Sequence, residues 1–369
     1  MIDGQFTLGV EEEYQIVHPE TRDLRSYVSE IMEEGGRTIL RERVRQELHQ
    51  SMVEVGTTIC QDVGEARAQL VEMRTELDRL ARKGGLRIVA ASTHPFSDWT
   101  TQKITEADRY HTIVNDMQDL ARANLIFGLH VHVGIKDKQV AVALANQVRY
   151  FLPHMLALSC SSPFWLGRKT GLMSNRSHIF KRFPRTGIPD EFESYEQLEN
   201  LVKLLVKTHC IDTGKKLWWD VRAHYFYDTV EIRICDMPTN LEDTVALVAL
   251  AQALMAKLYL MYQRNTAWRS YERALIEENK WRAQRYGTDA MMIDFGMLCE
   301  RPFPELADEL VDFVSEASDR LGTTSTLQRI RQMARQGTSA HRQIEVWEQT
   351  HDMHAVVDWL IEETLRGIS

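Results

Sequence analysis

Paired cysteines are the first thing this chain lacks. Its five, Cys60, Cys160, Cys210, Cys235 and Cys299, are scattered over 369 residues, odd in number and free of any C-x-x-C spacing, which fits a reducing compartment. Basic excess is missing too. Lys and Arg number 44 against 53 Asp and Glu, a formal charge of -9, and the isoelectric point near 5.8 excludes the electropositive groove of a nucleic-acid binder. Glycine and proline are sparse, at 19 and 9, so the composition is that of a folded globular protein, not a disordered or fibrous one. The one long apolar run, Val245 to Tyr262, is interrupted by Gln252 and Lys257 and reads as a buried helix, not a membrane span. The opening MIDGQFTLGVEEE has neither a basic nor an apolar leader region, and the expectation is a cytoplasmic protein.

Familiar chemical signatures are absent as well. No Walker A loop, kinase glycine-rich loop, G-x-G-x-x-G, G-x-S-x-G elbow or HEXXH occurs, so any phosphate would have to be held by metals and arginines.

What is present is a set of alternating segments. Period-2 patterns mark strands over Phe6 to Val17, Met52 to Ile59, Leu86 to Ser92, Gly128 to Ile135, Leu217 to Arg222 and Thr229 to Asp236. Helical patterns cover Gly64 to Arg82, Ile104 to Asn124, Lys138 to Leu158, Ser194 to His209, Leu241 to Asn265 and Trp268 to Tyr286, with further helices from Pro304 onward. Only Ala223 to Asp228 separates the last two strands, which therefore form a hairpin. The expected fold is α+β: a mainly antiparallel sheet of about six strands with a helical last third. No repeat or linker divides the chain, so residues 1–369 are expected to form one catalytic unit, with a sheet-containing core over 1–236 and an entirely helical portion over 237–369.

Alternate residues of a strand share a face. Glu11 and Glu13 of GVEEE share a face, while Glu54 of MVEVGTT, His130 and His132 of GLHVHVG, and Glu231 and Arg233 of TVEIRICD occupy positions opposite Val, Ile or Leu. On one sheet they would make an apolar face and a face of carboxylates, imidazoles and an arginine. Carboxylates packed together resist joint ionisation, and divalent cations relieve this. Oxygen-rich donors with a histidine suit Mg²⁺ or Mn²⁺, ions that commonly take phosphate oxygens as further ligands, so the pattern points to nucleoside triphosphate chemistry. Arg176, Arg182 and Arg185 lie in a basic segment, Gly167 to Pro189, with six Lys or Arg. With Arg222 and Arg233 they are candidate phosphate or carboxylate binders, and the segment is a candidate lid.

The motifs GVEEE, THPF (Thr93 to Phe96), GLHVHVG, SNRS (Ser174 to Ser177), WWDVR (Trp218 to Arg222), TVEIRICD and NKWRAQRYG (Asn279 to Gly287) together resemble the YbdK-type carboxylate-amine ligases, the type 2 glutamate-cysteine ligases. Their superfamily includes glutamine synthetase and uses an antiparallel sheet with a concave, metal-lined surface. The resemblance implies that Glu13, Glu47 and Glu54 hold one ion and Glu11, His130 and Glu231 a second. It sets Arg233 against the transferring phosphoryl group, His132 at the substrate, and Arg176 and Arg222 at a substrate carboxylate or phosphate. The implied reaction is ATP-dependent amide formation through an acyl phosphate, with glutamate as donor and cysteine as acceptor. Two positions depart from the family pattern: Ala223 replaces a proline after the WDVR arginine, and Asn175 replaces a tyrosine in the SNRS loop. A phosphotransferase acting on a guanidino or carboxylate group, or a silent nucleotide- or metal-binding protein, are the alternatives. Partners are expected to be small molecules, without nucleic acid or membrane, and the helical last third is a candidate homodimer surface.

Overall fold

The computed structural model of the chain describes residues 6–368. Seven strands build one sheet: β1 (Leu8–Val17), β2 (Val44–Gln46), β3 (Met52–Gly56), β4 (Arg87–Val89), β5 (Leu129–Gly134), β6 (Val221–Ala223) and β7 (Thr229–Ile232). Their order is β6-β7-β5-β1-β3-β2, with β4 added on the far half of β1, and every pairing is antiparallel. All six expected strand segments contribute to this sheet. The seventh strand, β2, is three residues long, too short to show alternation.

Helices cover the apolar face. The helix α1 (Val63–Lys83) starts where the Asp62 side chain accepts from Glu65 N, and it turns Leu70, Met73 and Leu77 into the core. The expected run from Lys138 is α2 (Lys138–Val148) and α3 (Leu152–Ser159), joined by a single 3-10 turn. The apolar run forms α5 (Leu241–Gln263), with a shorter helix, α4 (Asn175–Phe180), before it in the chain. Capped by Asn240, α5 is enclosed: 83% of its most apolar window is buried, and Gln252 donates to Phe6 O at 2.8 Å. It is a core helix, as its interrupting polar residues suggest.

The portion after residue 236 is not entirely helical, contrary to expectation. After α6 (Arg273–Tyr286), Met291–Asp294 pairs antiparallel with Cys299–Pro302. Asp294 closes the turn by accepting from Gly296 N and Met297 N, and Asn279 of α6 pins the hairpin through Ile293 N and O at 2.8 Å each. The basic segment is also ordered locally. Phe164–Trp165 pairs with Arg168–Lys169, α4 follows, and Thr186–Gly187 runs parallel to Trp218–Trp219.

One charged residue of β1 points into the helical layer. Glu12, fully buried between Glu11 and Glu13, takes Arg74 of α1 through two oxygens, at 2.5 and 3.2 Å, and accepts from the Tyr14 hydroxyl. The same guanidinium donates to Thr239 O and to Thr364 O in the last helix, Met353–Thr364. Buried charge is tolerable when paired and fully hydrogen-bonded, and here the pairing ties three parts of the chain to the central strand.

Candidate active site

The register of the sheet assembles the polar face. Glu13 lies opposite Glu54, and Glu54 opposite Arg45 of β2. Glu11 lies opposite His130, while His132 is opposite Glu231 and Glu231 opposite Arg222. Cross-strand neighbours on one face are close enough to interact directly, so residues from six strands form a continuous row. Glu47 joins it from the residue just past β2.

At one end of the row Glu231 is clamped. Arg222 Nε donates to it at 2.6 Å, Arg233 forms a second, shorter ion pair, and His132 Nε2 stands 3.8 Å away. Arg222 is itself held by the carbonyls of Lys215 and Leu217. Burial would raise the Glu231 carboxyl, but the charges of Arg233 and Arg222 outweigh it and hold it well below the usual range. Glu11 behaves alike: burial opposes ionisation, yet His130, at 3.3 Å, and His132 bring its pKa well below the ordinary value. His132 is shifted upward, since Glu231 and Glu11 overcome the burial that would lower it. His130, buried and facing Arg233, is pushed down to about 4.

The other end is short of positive charge. Burial and the neighbouring Glu54 raise Glu13 to about 7. Burial and Glu13 raise Glu47 to about 7, and Glu54 is pushed well above its usual value by burial, Glu11 and Glu47. Among the described residues the ion pairs of this group come from Arg45, whose Nη1 bridges Glu11 at 2.9 Å and Glu54 at 3.0 Å. Two triples, Glu11–His132–Glu231 and Glu11–Glu54–His130, each offer donor atoms within 4.8 Å of one another. Glu11 belongs to both. This crowded, oxygen-rich donor set fits hard divalent ions.

A cavity opens on either side of the row. The smaller, about 140 Å³, is lined by Glu13, Glu47, His130, Arg176 and Arg233, with Tyr110, Phe183 and Trp218 among its walls. Arg176 lies flat against Gly128, where a Cβ would fall 2.3 Å from Nη2, while Gly128 N donates to Glu13 at 2.6 Å. Arg176 and Arg233 each keep a buried Nε with no partner among the described residues, an arrangement that leaves room for an anion. The larger cavity, about 520 Å³, is lined by Glu11, Arg45, His132, Ile59, Phe226 and Tyr227 and is mostly apolar.

The structure thus brings Glu11, Glu13, Glu47, Glu54, His130, His132, Arg176, Arg222, Glu231 and Arg233 to one face. Arg182 is not among them: it donates to Ile179 O and Ala123 O and lines a separate cleft. Arg185 lies over Trp218. Arg45 went unseen in the sequence because V-R-Q is too short to show a period. Other motif residues are scaffold. Asp236 accepts from Ser161 N, Ser162 and Ser174, Thr93 donates to Phe164 O, and Lys280 of NKWRAQRYG makes a buried 2.6 Å pair with Asp220 of WWDVR.

The family model described as "Glutamate-cysteine ligase family 2(GCS2)" matches residues 7–358. A protein of Sorangium cellulosum carrying the name "Putative glutamate--cysteine ligase 2" is 62% identical over 369 residues, covering 100% of this chain and 98% of its own. One of the same name from Roseiflexus castenholzii is 54% identical, covering 99% and 96%. In three dimensions the chain is similar to a glutamate-cysteine ligase of Francisella tularensis, solved in complex with AMP, with a TM-score of 0.68 at 10% identity over 99% of this chain and 90% of that one. A bifunctional glutathione synthetase of Pasteurella multocida gives the same score at 14% identity, over 98% of this chain and 53% of that one. The fold is therefore that of glutamate-cysteine ligases, and by sequence the chain belongs to glutamate-cysteine ligase family 2.

Proposed function

We propose that the protein is an ATP-dependent carboxylate-amine ligase that joins a glutamate-like donor to an amine through an acyl phosphate, with cysteine the acceptor suggested by its relatives' names. The observation that carries this reading is the acid row with a differently shaped cavity on either side. The 520 Å³ cavity falls within the roughly 300–1,000 Å³ of sites for larger organic ligands, and its Ile59, Phe226 and Tyr227 offer apolar surface to a nucleobase. A ligase of the same fold was solved with AMP, which supports a nucleotide there. The 140 Å³ cavity suits a small amino acid, with the unpartnered Nε groups of Arg176 and Arg233 for its charged oxygens.

Glu11, Glu13, Glu47, Glu54, His130, His132 and Glu231 are the residues that would hold two or more Mg²⁺ or Mn²⁺ ions. Bound there, the ions would supply positive charge against the phosphate oxygens. The donor carboxylate oxygen attacks the γ-phosphorus, the bond to the β-phosphate oxygen breaks, and ADP leaves. Arg233, fixed by Glu231, faces the charge that develops on the phosphoryl oxygens, and Arg222 braces Glu231 from behind. The amine then attacks the acyl carbon, loses its proton, and phosphate departs. Walls formed by Phe180, Phe183 and Trp218 limit water that would hydrolyse the acyl phosphate.

The test is incubation with ATP, Mg²⁺, glutamate and a panel of amines including cysteine, read by mass spectrometry. Amide with equal amounts of ADP and phosphate is expected. ADP with a stable phosphorylated substrate would replace the ligase by a phosphotransferase, and no ATP consumption with any pair would leave a binding protein.

A further inference from the structure

The basic segment leaves a second cavity that the proposed reaction does not use. This cleft, about 350 Å³, is lined by Trp165, Arg168, Asn175, His178, Ile179 and Arg182, with Lys169 at its edge and no Asp or Glu. Its wall is α4 and the turn after it. Asn175, His178, Ile179 and Arg182 follow an i, i+3, i+4, i+7 spacing and face the cleft, whereas Arg176, Phe180 and Phe183 face the small reaction cavity. One short helix thus separates the two spaces.

Charge in the cleft is uncompensated. Lys169 is paired with Glu348 at 2.7 Å, but Arg168 and His178 have no ion pair among the described residues, and Arg182 donates only to backbone carbonyls. The second observation is Asn175. It is only 5% exposed, its backbone N is bound to Ser162 O, and its carboxamide lines the cleft without any hydrogen bond among the described residues. Its amide atoms reach the solvent of the cleft, where water is the partner that a ligand oxygen would replace. Two guanidinium groups beside an amide donor form a recognition set for an oxyanion, with the half-buried Trp165 as an apolar wall.

We infer that this cleft is a binding site for a small oxyanion, a phosphate or a carboxylate, distinct from the reaction cavity and separated from it by α4. Inorganic phosphate, a product of the proposed reaction, and a small dicarboxylate are the two sources of such a group. The inference concerns equilibrium binding and stands whether or not the ligase reading does.

The experiment is calorimetric titration of the full-length protein with sodium phosphate, and separately with succinate, in EDTA at constant ionic strength set by chloride. Saturable binding by at least one anion is expected, and the anion that saturates identifies the source. It should weaken at least tenfold in the surface double variant R168A/R182A and several-fold in N175L, while R233A, altered in the reaction cavity, retains it. Circular dichroism would confirm that each variant is folded. Absence of saturation with both anions, equal affinity in R168A/R182A, or loss in R233A alone would overturn the assignment.

Discussion

Replacing Glu13 by Gln should stabilise the metal-free protein at pH 8, although it removes a candidate ligand. Glu13 is pushed from 4.5 to about 7, first by burial and then by Glu54. A shift of about 2.5 units, at roughly 1.4 kcal/mol per unit, makes the ionised group cost the fold about 3 kcal/mol. The sign follows from linkage. A carboxyl whose folded pKa is raised contributes stability below its unfolded value near 4.5, and that contribution is lost as pH rises through about 7. Glutamine keeps an oxygen for Gly128 N and has no charge to bury. In EDTA, E13Q should therefore match wild type near pH 5 and exceed it by about 3 kcal/mol at pH 8. For a chain of this length that corresponds to roughly 5 °C in melting temperature, extrapolating the usual size scaling.

Comparison at each pH is essential, because other groups titrate in the same window. Burial holds His49, His94, His130, His154 and His224 at about 4. Their contribution is complete above about 6.5 and lost as pH falls toward 4, opposite in sign to that of Glu13. Subtracting wild type from E13Q at each pH largely cancels them. Mg²⁺ should reverse the ranking at pH 8, raising wild type more than E13Q. Differential scanning calorimetry from pH 5 to 8.5, with EDTA or Mg²⁺, reads all of this. An E13Q protein no more stable than wild type at pH 8, or a difference that persists unchanged at pH 5, would refute the reasoning.

Arg45→Met should bind Mn²⁺ roughly three- to tenfold more tightly without nucleotide, since Arg45 competes for Glu11 and Glu54; this corresponds to about 0.7–1.4 kcal/mol for a half-exposed pair. Calorimetric titration giving equal or weaker binding would count against that competition. Glu231→Gln should lower kcat by on the order of 10²–10³, the scale of losing a preorganised electrostatic group, with circular dichroism unchanged; near-normal turnover would remove Glu231 from the mechanism. Glu12→Ala strands the buried Arg74 charge and should cost about 3–5 kcal/mol in urea unfolding, against near-neutral results expected for exposed acids such as Glu33.

The polar face was legible because alternation is strict in GLHVHVG and TVEIRICD, and a half-polar strand announces which residues share a side. Pairing was not legible, since no local pattern says that Glu54 meets both Glu13 and Arg45. The middle glutamate shows the same limit: Glu12 reads as one more acid until Arg74, 62 positions away, is seen against it. The hairpin after α6 escaped because MMID and CERP are short and held largely by Asn279 and Asp294. The Asn175 departure also changes place, since it borders the outer cleft and not the acid row.

Three consecutive glutamates in β1 pose a problem of reading frame. Slipping a strand by one residue exchanges its two faces, and a run of identical side chains gives little means of telling one frame from the next. Arg74 favours one frame from behind, pairing with the inward Glu12 while Tyr14 of the same face is buried in the helical layer beside it. Since the same guanidinium also holds Thr239 and Thr364, the final helix takes part in selecting which two glutamates lie on the polar face. Trimming that helix would then act as a frameshift in space, misaddressing the reactive groups of a strand far away in sequence.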